Sequence, residues 1–220
     1  MIALAASGVQ EGFWLRAESQ TAGRGRLGRD WVSPPGNLYA STIVRLRPSD
    51  PPAATLALVA AVALDEVASA YAVPERLTLK WPNDLMLDGE KLSGILLERS
   101  GDAVIIGIGV NLAHHPEGIG RTVASLAAKG FGAPDPALFL NDLAATFERW
   151  IARWRQEGIA AVRNRWISRA HPRGAALSVN IPGSGAVDGL FDGLDMDGAL
   201  RLKTADGEVR TVHAGDVFMV

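Results

Sequence analysis

Between Arg76 and Leu112 the chain reads as an antiparallel meander, and that stretch most restricts what it can fold into. "RLTLKW" alternates apolar and polar residues and stops at Pro82-Asn83-Asp84. "LMLDGEKLSGILLERSGDAVIIGIGVN" continues as strands joined at Asp88-Gly89 and Gly101-Asp102, pairs that suit tight hairpins. No helical pattern separates these strands, so a repeated strand-helix architecture is excluded. Two more strands, "FWLRAES" and "NLYASTIVRL", lie upstream and bracket a loop rich in glycine and arginine.

Helices frame this sheet. An Ala- and Leu-rich segment from about Ala53 to Ala70 follows Pro51 and Pro52, which belong near a first turn. Near Pro136 a second helix carries Leu143, Phe147, Trp150, Ile151 and Trp154 at helical spacing, and after Gly158 a third carries Val162 and Trp166. We read the tryptophan stripe as a face packed on the sheet, not as a cofactor box. From His171 the character changes to short strands separated by Asp-Gly or Gly turns, a small barrel-like module of about 50 residues. The expected fold is α/β in the α+β sense: a mixed sheet with flanking helices over residues 1–170, then a small β-barrel over 171–220.

Composition narrows the function. Of 220 residues, 48% are apolar, ample for a buried core, and 22 basic against 24 acidic residues give a net charge of -2. Any site for a polyanion must therefore be local. The absence of cysteine excludes disulfides, thiolate zinc sites and a cysteine nucleophile, and suits a reducing cytoplasm. His114, His115, His171 and His213 show no metal-ligand spacing, so no protein-held metal is expected. The opening "MIALAASGV" lacks a basic region and reads as part of a helix, and the longest apolar run falls short of a bilayer span. No membrane partner is expected.

The loop "QTAGRGRLGRDW" carries Gly23, Gly25 and Gly28 in the spacing of a dinucleotide fingerprint, with Arg24, Arg26 and Arg29 among them. That fingerprint needs a helix opening at its third glycine, but "RDWVSPPGN" follows, and its prolines preclude an ordinary helix interior. The signatures of a kinase or of a Walker loop are also missing. What remains is an anion cradle: glycines let backbone N–H groups approach, arginine forks grip phosphoryl oxygens, and Trp31 could cover a ring. Taken alone, a solvated basic surface loop fits equally well. "KWPNDLMLDGEKLSGILLE" adds Lys80 and Lys91 at either end of a hairpin, with Asn83 and Asp84 on the turn after Pro82. On its own, Lys91 beside Glu90 suggests a surface ion pair.

Together "ESQTAGRGRLGRDWVSPPGNLY", "KWPNDLMLDGEKLSGIL" and "IGIGVNL" resemble, in order and spacing, the catalytic domain of the biotin protein ligases, densely from Gly8 to Leu112. The resemblance implies a catalytic domain related to class II aminoacyl-tRNA synthetases followed by an SH3-like barrel. It implies that biotin is activated by ATP with Mg²⁺ to biotinyl-5′-AMP and passed to a lysine of a biotin carboxyl carrier domain. It places Gln20, Gly23, Arg24, Gly25, Arg26, Lys91, Gly94 and Gly107 on biotin. Arg24, Arg26, Arg29, Trp31, Asn83, Asp84 and Asn111 fall on the adenylate, and Lys91, Arg24 and Arg26 at the chemistry. Gly107 and Gly109 weaken a strand unless a ligand or backbone comes close, so a pocket floor is expected there, with a β-bulge as the alternative.

One departure from the family pattern concerns the start. A Ser/Thr-Thr-Asn-like segment that holds the biotin ureido ring lies upstream of the first helix in the family, whereas this chain opens inside that helix. We expect a start that is truncated or assigned too late. Without that segment, biotin affinity should fall by several kcal/mol at about 0.5–1.5 kcal/mol per hydrogen bond. No N-terminal helix-turn-helix is expected, hence no operator DNA, and the resemblance allows a homodimer. Two rival readings stand beside this one, a lipoate-protein ligase and a non-catalytic RNA-binding module.

Overall fold

The computed structural model describes residues 1–118 and 122–220. A six-stranded sheet forms from β1 (Trp14–Ala17), β2 (Leu38–Arg45), β3 (Leu77–Lys80), β4 (Asp84–Leu87), β5 (Glu90–Ser100) and β6 (Ala103–Val110) in the order β1-β2-β6-β5-β4-β3. All its ladders are antiparallel. Two isolated parallel bridges, Leu79 with Ala170 and Lys91 with Val123, make the pairing mixed. The hairpins turn where the sequence placed them, with Asp88, Gly89 and Gly101 all at positive φ.

Period-two alternation gives the sheet two different faces. Leu38, Ala40 and Val44 of β2 and Val104, Ile106, Ile108 and Val110 of β6 belong to the main core. Against this face pack α2 (Leu56–Ala68) and α3 (Pro136–Glu157), and α4 (Ile159–Ser168) packs on those two helices. Helix α2 is apolar nearly all round because it is covered by the sheet on one side and by α3 and α4 on the other. The α3 stripe proves to be core: Leu143, Phe147, Trp150, Ile151 and Trp154 are buried, with Trp154 Nε1 donating to Thr55 Oγ1 at 2.8 Å. Asp135 caps α3 by accepting from the N–H of Ala137 at 2.6 Å, and Gly158 at φ 72° lets the chain turn into α4.

Buried charge ties the helices together. Asp65 of α2 is fully buried and accepts from Arg165 at 3.2 Å and from Arg169 at 2.9 Å. Removing one partner of such a pair costs about 3–5 kcal/mol, so the three residues fix α2 against α4. The C-terminal strands β7 (Ala176–Ile181), β8 (Gly185–Leu194), β9 (Leu200–Lys203), β10 (Val209–Val212) and β11 (Asp216–Met219) form a second sheet in the order β10-β9-β8-β7-β11. Its inner residues Leu177, Val179, Phe191 and Leu200 continue the main core, and Phe191 packs edge-on to Trp166 at 6.5 Å. The small β module is thus seated on the helical layer, with β11 turned toward the Gly/Arg loop.

Candidate active site

The sheet's other face is a trough. Register lines up one cross-strand row, Leu15–Ser41–Gly107–Leu96, and beside it a second, Ala17–Tyr39–Gly109–Gly94–Asp84. Glycines at the centre of both rows leave the floor without side chains. Pairing of β6 with both neighbours runs unbroken through Gly107 and Gly109, which rules out the β-bulge and leaves the close-approach reading. A short helix, α1 (Ile2–Ala6), closes one end, where Ala5, Met1 and Val9 cover Ile43 and Ile105. The half-open cavity is about 530 Å³, within the range of small-ligand sites.

The Gly/Arg loop forms the lid. It folds back as a narrow hairpin: Arg24 bridges Asp30, the Gly25 N–H donates to the Arg29 carbonyl at 2.7 Å, and the Trp31 N–H donates to the Gly23 carbonyl at 3.0 Å. A single 3₁₀ turn, Arg26–Gly28, makes the tip, with Leu27 at φ 57° and 70% exposed. A left-handed leucine costs about 1–2 kcal/mol, so the tip holds its shape through its anchors. Those anchors are specific. Arg26 donates to Asn83 Oδ1 at 3.2 Å and to the Gly215 carbonyl at 3.4 Å, lies 3.8 Å from the Asp216 carboxylate, and Arg29 pairs with Asp216 as well.

Opposite the lid stands Lys91. Its backbone is clamped between Thr122 and Ala124, with Lys91 N–H to the Thr122 carbonyl at 3.1 Å and Ala124 N–H to the Lys91 carbonyl at 3.0 Å. Its ammonium pairs with Asp84, both side chains being only 13% exposed, and lies 5.7 Å from the centre of the Trp31 ring. Glu90 pairs instead with Lys129 at 2.9 Å, so the expected Glu90–Lys91 surface pair does not form. Asp84 likewise is not a turn residue but the first residue of β4, facing Gly94. Trp31 lies flat over the glycine floor. A Cβ on Gly109 would come within 2.6 Å of its ring, and one on Gly94 within 3.3 Å.

Gln20, Arg24, Gly25, Arg26, Arg29, Trp31, Asn83, Asp84, Lys91, Gly94 and Gly107 all line this one cavity. Arg24 and Arg26 therefore face the same space as Lys91. Two predicted residues stand outside the wall. Gly23 is buried at the root of the loop because a side chain there would strike the Trp31 carbonyl at 2.3 Å. Asn111 is buried beyond the end of β6, where its amide donates to the Ala124 carbonyl at 3.0 Å, fixing the segment that clamps Lys91. Asn111 Oδ1 is buried without a partner among the described residues. Sequence reasoning missed Asp216, Tyr39 and Ser41, which also line the cavity.

The biotin/lipoate A/B protein ligase family model matches residues 5–111, and that of the biotin protein ligase C terminal domain matches 178–220. The biotin–[acetyl-CoA-carboxylase] ligase of Paracoccus denitrificans is 40% identical over 224 residues, spanning 97% of this chain and 92% of the relative. The chain belongs to the biotin protein ligase family. Another biotin protein ligase family member, the biotin–[acetyl-CoA-carboxylase] ligase of Mycobacterium tuberculosis, is 37% identical over 99% of this chain and 83% of its own length. Among solved structures, the biotin protein ligase from Aquifex aeolicus in complex with biotin and ATP superposes with a TM-score of 0.88 at 26% identity, covering 99% of this chain and 94% of that one. The α+β architecture with its small C-terminal sheet is thus that of the biotin protein ligases. As a member of the family the chain is an ATP-dependent, biotin-attaching ligase, which sets aside the lipoate-ligase and RNA-binding readings.

Proposed function

We propose that this single cavity carries both half-reactions, with residues 1–170 as the catalytic unit and 171–220 as the barrel that anchors its lid. Biotin lies along the glycine floor with its ring toward α1 and its carboxylate toward Lys91. ATP, with Mg²⁺ as its counter-ion, lies between Trp31 and the arginines of the lid. A carboxylate oxygen of biotin attacks the α-phosphorus, the bond to the bridging oxygen breaks, and pyrophosphate leaves. Then the amine of a carrier lysine attacks the acyl carbon, AMP departs with the carbon–oxygen bond pair, and the amine proton passes to solvent.

Both steps bring anions together, so fixed cations and positioning carry the chemistry. Lys91 sits where it can bridge carboxylate and α-phosphate, trading Asp84 for the nascent anhydride. Arg24 and Arg26 meet the acid and the phosphate from the lid, and Arg29 faces the nucleotide side. Asn83 orients Arg26, and Gln20, held by Ser33 at 2.8 Å, sits against biotin. Gly25, Gly94 and Gly107 give the ligand room. The lid excludes water from the acyl-phosphate. What carries this reading is the meeting of Lys91, Arg24, Arg26 and Trp31 over a floor of glycines.

The acceptor is the carrier domain of a biotin-dependent carboxylase, and the setting is the cytoplasm; none of the described helices is long and apolar enough to cross a membrane. The net charge of -2 offers DNA no general attraction, and a gel shift with operator DNA at physiological salt should stay negative. The deciding experiment is the intact mass of a purified carrier domain after incubation with the chain, MgATP and biotin. A gain of one biotinyl group is expected. No gain, together with no biotin-dependent exchange of pyrophosphate into ATP, refutes the proposal.

A further inference from the structure

Of the six hydroxyl side chains on the main sheet, three are committed to the protein. Thr42 donates to the Phe13 carbonyl at 2.9 Å, Ser93 to the Gly109 carbonyl at 2.6 Å, and Tyr39 to the Pro34 carbonyl at 2.8 Å. Ser41 differs. It lines the cavity, and among the described residues its side chain enters no hydrogen bond. Its cross-strand neighbours are Leu15 on one side and Gly107 on the other, with Leu96 beyond Gly107. The next row toward α1 is Ile43, Ile105 and Glu98, in which Ala5 and Met1 seal the two isoleucines and Glu98 is exposed at the end of the row. Ser41 is therefore a hydroxyl with no side-chain hydrogen bond among the described residues, flanked by Leu15, Leu96, Ile43 and Ile105 with Glu98 one row away, and it stands 3.7 Å from where a Cβ of Gly107 would be.

From this placement we infer that Ser41 is a specificity-determining residue: its hydroxyl bonds a polar atom of the ring system of the acid and selects biotin over acids with an apolar tail. The inference rests on the proposal that biotin lies on this floor. A ligand that covers Ser41 shuts out water, so it must either offer a hydrogen-bond partner or leave the hydroxyl unsatisfied. Biotin carries heteroatoms in its bicycle; a dithiolane or plain aliphatic acid of similar length offers none of comparable strength. The absent Cβ at Gly107 lets a flat bicycle settle low enough to reach the hydroxyl.

The test compares wild type, Ser41→Ala and Ser41→Val in acid-dependent pyrophosphate–ATP exchange, with biotin, lipoic acid and octanoic acid each offered, and with Tm recorded for each variant. Ser41→Ala should lower kcat/KM for biotin about tenfold, the size of one neutral hydrogen bond, with the KM for ATP unchanged. Its activity toward octanoic or lipoic acid should stay equal or rise. Ser41→Val, which fills the trough, should raise the KM for biotin further at unchanged Tm. The inference is overturned if Ser41→Ala leaves the biotin KM unaltered, or weakens all three acids alike. Failure of wild type to show biotin-dependent exchange would instead sink the proposed function itself.

Discussion

Lys91 is where the proposed chemistry can be tried most severely. In Lys91→Ala the strand should persist, because the main chain there is held by Thr122 and Ala124 and not by the side chain. Two separate losses follow. A donor aimed at charge that develops during the reaction contributes about 3–4 kcal/mol, so biotin-dependent pyrophosphate–ATP exchange should fall by roughly 10²–10³. Asp84, only 13% exposed, loses the ammonium beside it, which should cost about 1–3 kcal/mol of stability and lower Tm by roughly 2–12 °C. The double variant Lys91→Ala/Asp84→Ala separates the two losses. It should recover most of the Tm and none of the exchange. An exchange rate within threefold of wild type in the single variant, or restored exchange in the double variant, would show that the amine merely neutralises Asp84.

Other elements of the site give independent expectations. Asp216→Ala removes two partly exposed ion pairs to Arg26 and Arg29, together worth about 1 kcal/mol, so trypsin should cut within residues 24–29 several-fold faster and bound biotinyl-AMP should dissociate about fivefold faster. Gly109→Ala puts a methyl within 2.6 Å of the Trp31 ring and forces it off the floor. If that ring covers the base, the KM for ATP should rise by roughly five- to a hundredfold in initial-rate measurements, as expected for a lost base–aromatic contact. His171 is pushed below the ordinary histidine range by burial and then by nearby Lys80, and its Nε2 has no partner among the described residues. The unfolded chain therefore binds the proton more readily, so stability is complete above about pH 6.5 and falls as pH drops below it. The loss of Tm between pH 7.5 and 5.5 should be smaller in His171→Gln than in wild type.

Most of the scaffold was legible because its signals are local. Turn pairs fixed the meander, helical spacing fixed α3, and the prolines after Trp31 ruled out a dinucleotide-binding helix. The cavity-lining residues of the lid and hairpin were legible through a whole pattern of glycines, arginines and "KWPND", and not through any one residue. Gly23 and Asn111 lie behind the lining of the cavity, a distinction between wall and backing that sequence adjacency does not make. Asp216 was invisible for a different reason. Its partners Arg26 and Arg29 are distant in the chain, and "HAGDVF" has no local peculiarity to betray a contact made only by docking of the second sheet.

The position of β11 has a bearing on how the enzyme comes into being. Synthesis runs from the amino end, so the trough, the hairpin amine and the arginines emerge from the ribosome long before the carboxylate that steadies them. Until β11 has docked, the ion pairs that tie Arg26 and Arg29 to Asp216 cannot form.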